Sequence, residues 1–258
     1  MRVERVRFPG TLGHQLAGRL ELPPGEPRAT VLMAHCFTCS KDLRAAGWIS
    51  RHLAAAGVAS FRFDFAGIGD SEGAFEATNF STNLEDLAAA GAWLRDQGLA
   101  PMVLLGHSLG GAAVLASAGA VPETRLVVTL AAPSTTTRFR AKLLDRLPAL
   151  SAGEETEILL GGQRFRITPQ LLEDLAEHRL EESIATLGRE LLVVHSPQDE
   201  TVPFAEAERI FSLAQPPKSF LSLPGADHLL LNDEGDSRQV ASWVTCWIDR
   251  QGEEQQPA

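Results

Sequence analysis

The sequence predicts an α/β protein: a mostly parallel sheet with helices on both faces and a small inserted cap. Three observations carry this. Short apolar runs alternate with segments of helical spacing along most of the chain. A G-x-S-x-G pentapeptide, Gly106 to Gly110, lies between one such run and one such helix. The rhythm breaks once, between Pro133 and Gly188, where no simple crossover helix is found. A length of 258 residues suits one large domain with an insertion. With 44% hydrophobic and 22% charged residues, the chain has enough apolar surface for a sizeable core.

Read in order, "VERVRF" and "HQLAGRLEL" alternate in polarity across "PGTLG" and predict an antiparallel hairpin. "RATVLMAH" predicts a buried strand, and "KDLRAAGWISRHLAAAG" a helix ending at Gly57. "VASFRFDF" is the next strand. "STNLEDLAAAGAWLRDQG" predicts a helix capped by Ser81 or Thr82, with Glu85 three residues after Thr82 as in a capping box. "PMVLLGHSLGGAAVLASAGA" reads as strand, sharp turn and helix. "TRLVVTLAAP", "RELLVVH" and "KSFLSL" supply three more strands. "AEAERIFSLA" is a helix between the last two, and "SRQVASWVTCWIDR" a terminal amphipathic helix.

The interruption contains basic "TTTRFRAKLLDRLPAL", then "TEILLGGQRFRI", a hairpin turning at Gly161-Gly162, then helical "TPQLLEDLAEHRLEESIATL". The expected division is a core of residues 1–132 and 188–251, a cap insertion of 133–187 and a flexible polar tail of 252–258. Arg138, Arg140, Lys142, Arg164 and Arg166 make the insertion locally basic, which reads first as a solvated face.

The formal net charge of -10 argues against nucleic acid and anionic membranes as partners. No signal peptide and no transmembrane run is expected. Three cysteines fit a reducing compartment, so the expected location is the cytoplasm.

The pentapeptide "GHSLG" carries the chemistry. A serine between a buried strand and a helix must turn sharply. Gly106 and Gly110 remove β-carbons that would clash there, and Gly111 lets the helix pack closely. The helix N-terminus favours negative charge developing beside Ser108. A serine nucleophile needs a base, and His228 follows the last strand in "LPGADHLLL". Asp199, in "HSPQDETVP", stands where a third group would hold the imidazole; Glu200, Asp227, Asp233 and Asp236 are the competing carboxylates. The order Ser108, Asp199, His228 is that of a Ser-Asp-His hydrolase. His107 is expected to pack beside the elbow, and no histidine pair has a metal-ligand spacing such as H-E-x-x-H.

"MAHCFTCSKD" adds Cys36 and Cys39 in C-x-x-C spacing. Three readings stand: a redox dithiol favoured by nearby Lys41, half of a metal site, or two small soft residues that shape a turn. Cys246, in "WVTCWI", reads as a core cysteine.

With these motifs, the chain resembles the α/β-hydrolase superfamily over nearly its whole length. "FDFAGIGDSEG" is similar to that family's structural turn after its fourth strand. The wording of "AHCFTCSKD", "GHSLGGAA", "HSPQDETV" and "GADHLL" resembles a narrower group: the hydrolase halves of bacterial proteins that join an α/β hydrolase to an OsmC-like peroxidase domain. The resemblance implies an α/β-hydrolase fold. It implies an oxyanion hole made by the Phe37 and Leu109 N–H groups, with Cys36 where the family usually has glycine. It also implies that the insertion covers the active site. The implied activity is hydrolysis of carboxylic esters through an acyl-enzyme, with no cofactor or metal; small to medium acyl groups are expected because nothing in the insertion advertises a long lipid groove. Thioesterase, amidase and C–C bond hydrolase share the triad. A non-catalytic binding or redox-responsive protein on the same scaffold is the alternative from another class. The implied partner is a small-molecule ester; a homodimer and an OsmC-like partner stand as analogies.

Overall fold

The structure is a computed structural model that describes residues 1–160 and 163–253. In chain order the elements are β1 (Arg2–Pro9), β2 (Gln15–Leu22), β3 (Thr30–Ala34), α1 (Arg44–Ala55), β4 (Ala59–Phe63), α2 (Phe80–Asp96), β5 (Val103–His107), α3 (Leu109–Ser117) and β6 (Leu126–Leu130). There follow α4 (Thr136–Arg146), α5 (Pro148–Ser151), β7 (Thr156–Leu160), β8 (Gln163–Ile167), α6 (Pro169–Glu177) and α7 (Leu180–Ala185). The chain returns through β9 (Glu190–His195), α8 (Phe204–Leu213), β10 (Lys218–Ser222) and α9 (Glu234–Glu253).

The main sheet has the order β1-β2-β4-β3-β5-β6-β9-β10. β1 and β2 form the expected antiparallel hairpin, β2 is antiparallel to β4, and every later pair is parallel. Parallel strands buried on both faces explain the continuous apolar runs. Their alternate residues serve opposite layers. Leu32, Phe61, Phe63, Leu104, Val127 and Val193 join the core under α2 and α3, whereas Val31, Met33, Val103, Leu105, Val128 and Val194 pack under α1 and α9.

One exception to this apolar packing is a buried charge cluster beside β4. Arg62 is paired with Glu21, both buried, and donates to the Lys41 carbonyl. The Lys41 ammonium, also buried, meets Asp64 at 2.9 Å, Asp42 at 2.9 Å and Asp70 at 2.6 Å. Burial opposes its charge, but these carboxylates outweigh it and hold Lys41 protonated above the usual lysine range. Lys41 is therefore already committed and is not a free charge for a thiolate. Asp64 also accepts from the Lys41 and Asp70 N–H groups, so it ties the segment after β3 to the turn after β4.

Three details depart from the sequence expectations. Helix α2 is capped by Asn79, not by Ser81 or Thr82. Asn79 accepts from the Thr82 N–H at 2.9 Å and Thr82 Oγ1 accepts from the Asn79 N–H, so the capping box closes with threonine at its third position. Ser81 is used elsewhere: its N–H donates to Asp174 of α6 at 3.0 Å, fixing the insertion to α2. The helical stretch after Thr168 splits into α6 and α7, because His178 adopts extended backbone. There its ring reaches Ser81 Oγ at 2.9 Å and its carbonyl accepts from Thr136. Finally, Cys246 is exposed rather than in the core. The buried stripe of α9 runs Val240, Ala241, Val244, Trp247, Ile248, and position 246 falls off that face.

The segment 133–187 forms its own helices and the antiparallel β7–β8 hairpin. Its expected turn, Gly161-Gly162, lies outside the described residues. Leu143, Phe165, Leu171, Leu172 and Leu175 are buried and continuous with the α2–α3 core. The five basic residues singled out from sequence are engaged: Arg138 with buried Glu206, Arg164 with Glu157, Arg166 with Glu155, Arg140 with the Leu172 carbonyl and Lys142 with the Thr201 carbonyl. Helix α9 continues to Glu253, beyond the expected end of the core at 251; residues 254–258 lie outside the described part. Among the described residues no helix is long and apolar enough to cross a membrane.

Asp64→Ala leaves the Lys41 ammonium buried with its fully buried partner removed. We expect a loss of about 3–5 kcal/mol in urea unfolding, against less than about 1 kcal/mol for Asp70→Ala, whose side chain is exposed.

Candidate active site

Strand β3 is followed by a crossover to one side and β5 by a crossover to the other, yet the two strands are neighbours. Chain topology therefore opens a crevice at their carboxyl ends, the usual place for a site in such sheets. Register then aligns five strand ends: Ala34 with Gly106, His107 with Leu130, Leu130 with Val194, and His195 with Ser222. The segments that leave this edge carry Cys36 to Lys41, Ser108, Asp199 and His228.

Ser108 sits between β5 and α3 at φ 53° and ψ -120°, with its N–H donated to the Leu130 carbonyl at 2.8 Å. This left-handed backbone costs a non-glycine residue about 1–3 kcal/mol. It persists because α3 is pressed onto the sheet. A β-carbon on Gly106 would lie 2.1 Å from the Gly110 carbonyl oxygen, and one on Gly110 would lie 2.4 Å from those of Ala34 and His35.

The three residues nominated by chain order meet. His228 Nε2 is 3.1 Å from Ser108 Oγ, and His228 Nδ1 is 2.7 Å from Asp199 Oδ2. An ionised Asp199 can only accept, so the proton between them belongs to Nδ1, leaving Nε2 to face the serine hydroxyl. Burial alone would raise the Asp199 pKa. Hydrogen bonds from His195, His228 and the Val202 N–H outweigh it and hold the carboxyl well below the usual carboxylate range. Its Oδ1 accepts from the Thr201 and Val202 N–H groups at 2.7 and 2.9 Å.

Three residues around this set were not assigned such contacts from sequence. His195 Nε2 donates to the Val202 carbonyl at 2.9 Å and lies 3.4 Å from Asp199 Oδ2, the same carboxylate oxygen that His228 Nδ1 meets. His107 Nε2 donates to the His228 carbonyl at 2.7 Å. Asp227, adjacent to His228, does not touch its ring; its carboxylate accepts from the Leu229, Leu231 and Asn232 N–H groups and folds the loop that presents the histidine. The H-S and S-P-Q-D wording marked the strand ends, but which neighbour a ring reaches follows from register across β5, β6, β9 and β10. The only sequence signal for Asp227 was the general habit of aspartate to accept from nearby backbone.

Phe37 and Leu109 line one narrow cavity together with Cys36, Phe65, Phe75, Asn83 and Leu171. Among the described residues, neither the Phe37 nor the Leu109 N–H donates to a protein acceptor. Both N–H groups are therefore unengaged. Cys36 and Cys39 are joined as a disulfide, the pairing the sequence left open. Their turn is closed by a Cys39 N–H to Cys36 carbonyl bond of 3.1 Å, with Thr38 at φ 59°. Among the described residues, the non-glycine residues at positive φ are Thr38, Ser108, Ala131 and Leu230. All four stand in the segments that build this edge, as backbone strain tends to gather at functional sites.

Fold and site together define an α/β hydrolase. The chain belongs to that superfamily: residues 25–154 match the family model described as serine aminopeptidase, S33. A solved structure, the esterase domain of a Rhodothermus marinus protein, is 42% identical, covers 97% of this chain and 99% of its own, and superposes with a TM-score of 0.76. Est1E from Butyrivibrio proteoclasticus, solved with ferulic acid, shares the fold at 20% identity, with 97% and 98% of the two chains covered and a TM-score of 0.75. The monoacylglycerol lipase of Mycolicibacterium smegmatis is 23% identical over 93% of this chain and 95% of that protein. The uncharacterized protein YfhR of Salmonella typhi is 27% identical over 66% of this chain; the match spans about half of YfhR, 54%.

His107 gives the site a pH-dependent support. Burial, reinforced by repulsion from a charged His228, pushes its pKa from 6.5 down to about 4. Between these values the unfolded chain binds the extra proton and the folded chain does not. Stability is therefore full above about pH 6.5, falls as pH drops toward about 4 and levels off below, a total of roughly 3 kcal/mol. His107→Gln keeps an N–H donor near the His228 carbonyl and removes the titration. Urea unfolding at several pH values is expected to show a visibly smaller acid loss for the variant.

Proposed function

We propose that the protein is a serine esterase that hydrolyses carboxylic esters of small to medium acyl groups through an acyl-enzyme. The observation that carries this is the continuous hydrogen-bonded line Ser108–His228–Asp199; the unengaged Phe37 and Leu109 N–H groups support it. In this reading Ser108 Oγ attacks the acyl carbonyl while His228 Nε2 takes its proton. Asp199 keeps the ring in the reactive tautomer and stabilises the imidazolium. The Phe37 and Leu109 N–H groups hold the oxyanion, each donor worth about 2.7–4 kcal/mol in comparable sites. His228 then returns the proton to the leaving alcohol and activates the water that releases the acid.

The esterase domain at 42% identity supports the ester as substrate class. The acyl-chain range is taken from the sequence of the insertion; Phe37 and Leu109 also line a cavity with Phe75 of the core and Leu171 of the insertion. We take the segment 133–187 to act as the cap of this site. Phe139 bears on Phe37 at 4.9 Å between ring centroids, and Phe165 on Phe75 at 4.9 Å.

Ser108→Ala is expected to abolish hydrolysis of p-nitrophenyl esters by at least about 10⁴-fold, and Asp199→Asn to lower kcat by about 10⁴-fold through the wrong tautomer. Rates should peak between acetyl and octanoyl along a series that runs to dodecanoyl. Serine-independent turnover, or cleavage of anilides or thioesters in preference to every ester tested, would contradict the assignment.

A further inference from the structure

The C-x-x-C pair stands outside the mechanism just described, yet it brackets one of its donors. Phe37 and Thr38 are the two residues between Cys36 and Cys39, and the disulfide joins the first and last residues of the turn they form. We propose that this disulfide is a thiol-addressable modification site that sets the geometry of the oxyanion hole, active when oxidised and impaired when reduced. The inference rests on the esterase reading of Ser108, Phe37 and Leu109.

The turn needs an external brace. Thr38 is β-branched and held at φ 59°, a region such residues rarely adopt. Its hydroxyl donates to the Phe37 carbonyl, which fixes that peptide only locally. On either side the chain is tied down without help from the sulfurs. Ala34 is paired with Gly106 at the end of β3, and the Lys41 N–H is bonded to buried Asp64 at 2.6 Å. Opening the disulfide therefore frees a few residues between two fixed points. A strained residue inside a short segment with fixed ends is an element that can take two arrangements. Relaxation of Thr38 would strain the Cys36–Phe37 peptide against the His35 Nδ1 and Cys39 N–H bonds to its carbonyl and displace the Phe37 N–H, while Ser108, His228 and Asp199 keep their places.

The two sulfurs differ in access. Cys36 is buried at 5% exposure, and Cys39 is half-buried. An external thiolate, from a small-molecule dithiol or monothiol, attacks Cys39 Sγ. The S–S bond breaks, and Cys36 leaves as a thiolate that takes up a proton. A second external thiol attacks the outer sulfur of the mixed disulfide and releases Cys39. Overall two external thiols become one disulfide, and the protein cystine gains two electrons and two protons.

The test uses the whole chain in both redox states. Maleimide labelling followed by mass measurement should count one reactive cysteine, Cys246, in the oxidised protein and all three after dithiothreitol. Each state is assayed for p-nitrophenyl ester turnover and for the rate at which a fluorophosphonate labels Ser108. Reduction should lower kcat and the labelling rate by about 10- to 100-fold, short of the 10²–10³ expected from losing a donor outright. KM should move less than about threefold, and reoxidation should restore the rate. The Cys36→Ser, Cys39→Ser double variant should sit at the reduced level and ignore reductant, whereas Cys246→Ser should respond as the wild type does. Equal or higher kcat in the reduced state, with thiol counts verified, overturns the proposal and leaves the esterase reading intact. Three free thiols after treatment with oxidised glutathione also overturn it. Neither turnover nor labelling in either state overturns both.

Discussion

The structure depends on how closely helix α3 approaches the ends of β3 and β5. No side chain fits between Gly110 and the carbonyls of Ala34 and His35, or between Gly106 and the first turn of α3. That contact forces Ser108 into left-handed backbone and lifts its hydroxyl from the sheet edge. It also brings the Leu109 N–H beside the segment after β3, so the two candidate oxyanion donors come from neighbouring strand ends rather than from one loop. A site built this way draws its accuracy from a rigid sheet.

Around that contact, polar groups are buried in sets that leave the charged ones paired. Asp199 is surrounded by donors from two histidines and two backbone N–H groups, which keeps it ionised in a place where a lone carboxyl would be driven neutral. Lys41 and Asp64 work differently: their pairing joins the segment after β3 to the turn after β4. The turn at Gly69 admits no β-carbon because the Asp64 carboxylate lies 2.3 Å from where it would stand. The same buried carboxylate thus shapes both loops beside the candidate oxyanion turn.

Strain and bracing coincide here. Thr38, Ser108 and Leu230 each hold positive φ in the segment that carries one part of the site. Ser108 is held by helix packing. Leu230 is held by the bonds of Asp227 to its neighbours. Thr38 is held by the Cys36–Cys39 disulfide together with its turn bond. Of these braces the disulfide is the one made by a covalent bond between side chains.

By itself the sequence determined the alternation of strand and helix, the elbow around Ser108, and the order in which Asp199 and His228 follow. These depend on local chemistry: period-two and period-3.6 burial, glycine where backbones touch, and polar residues just past apolar runs. Tertiary structure decided what needed a partner distant in sequence. Asn79 replaced Ser81 as a cap because Ser81 was drawn to Asp174, and one predicted helix became α6 and α7 because His178 turned to meet Ser81. Cys246 fell outside the buried stripe of α9. His107, His195 and Lys41 acquired their roles only when sheet register set their neighbours. A linear pattern records which face a residue occupies, but the identity of its contacts depends on which strands lie side by side, and that order is a property of the folded chain.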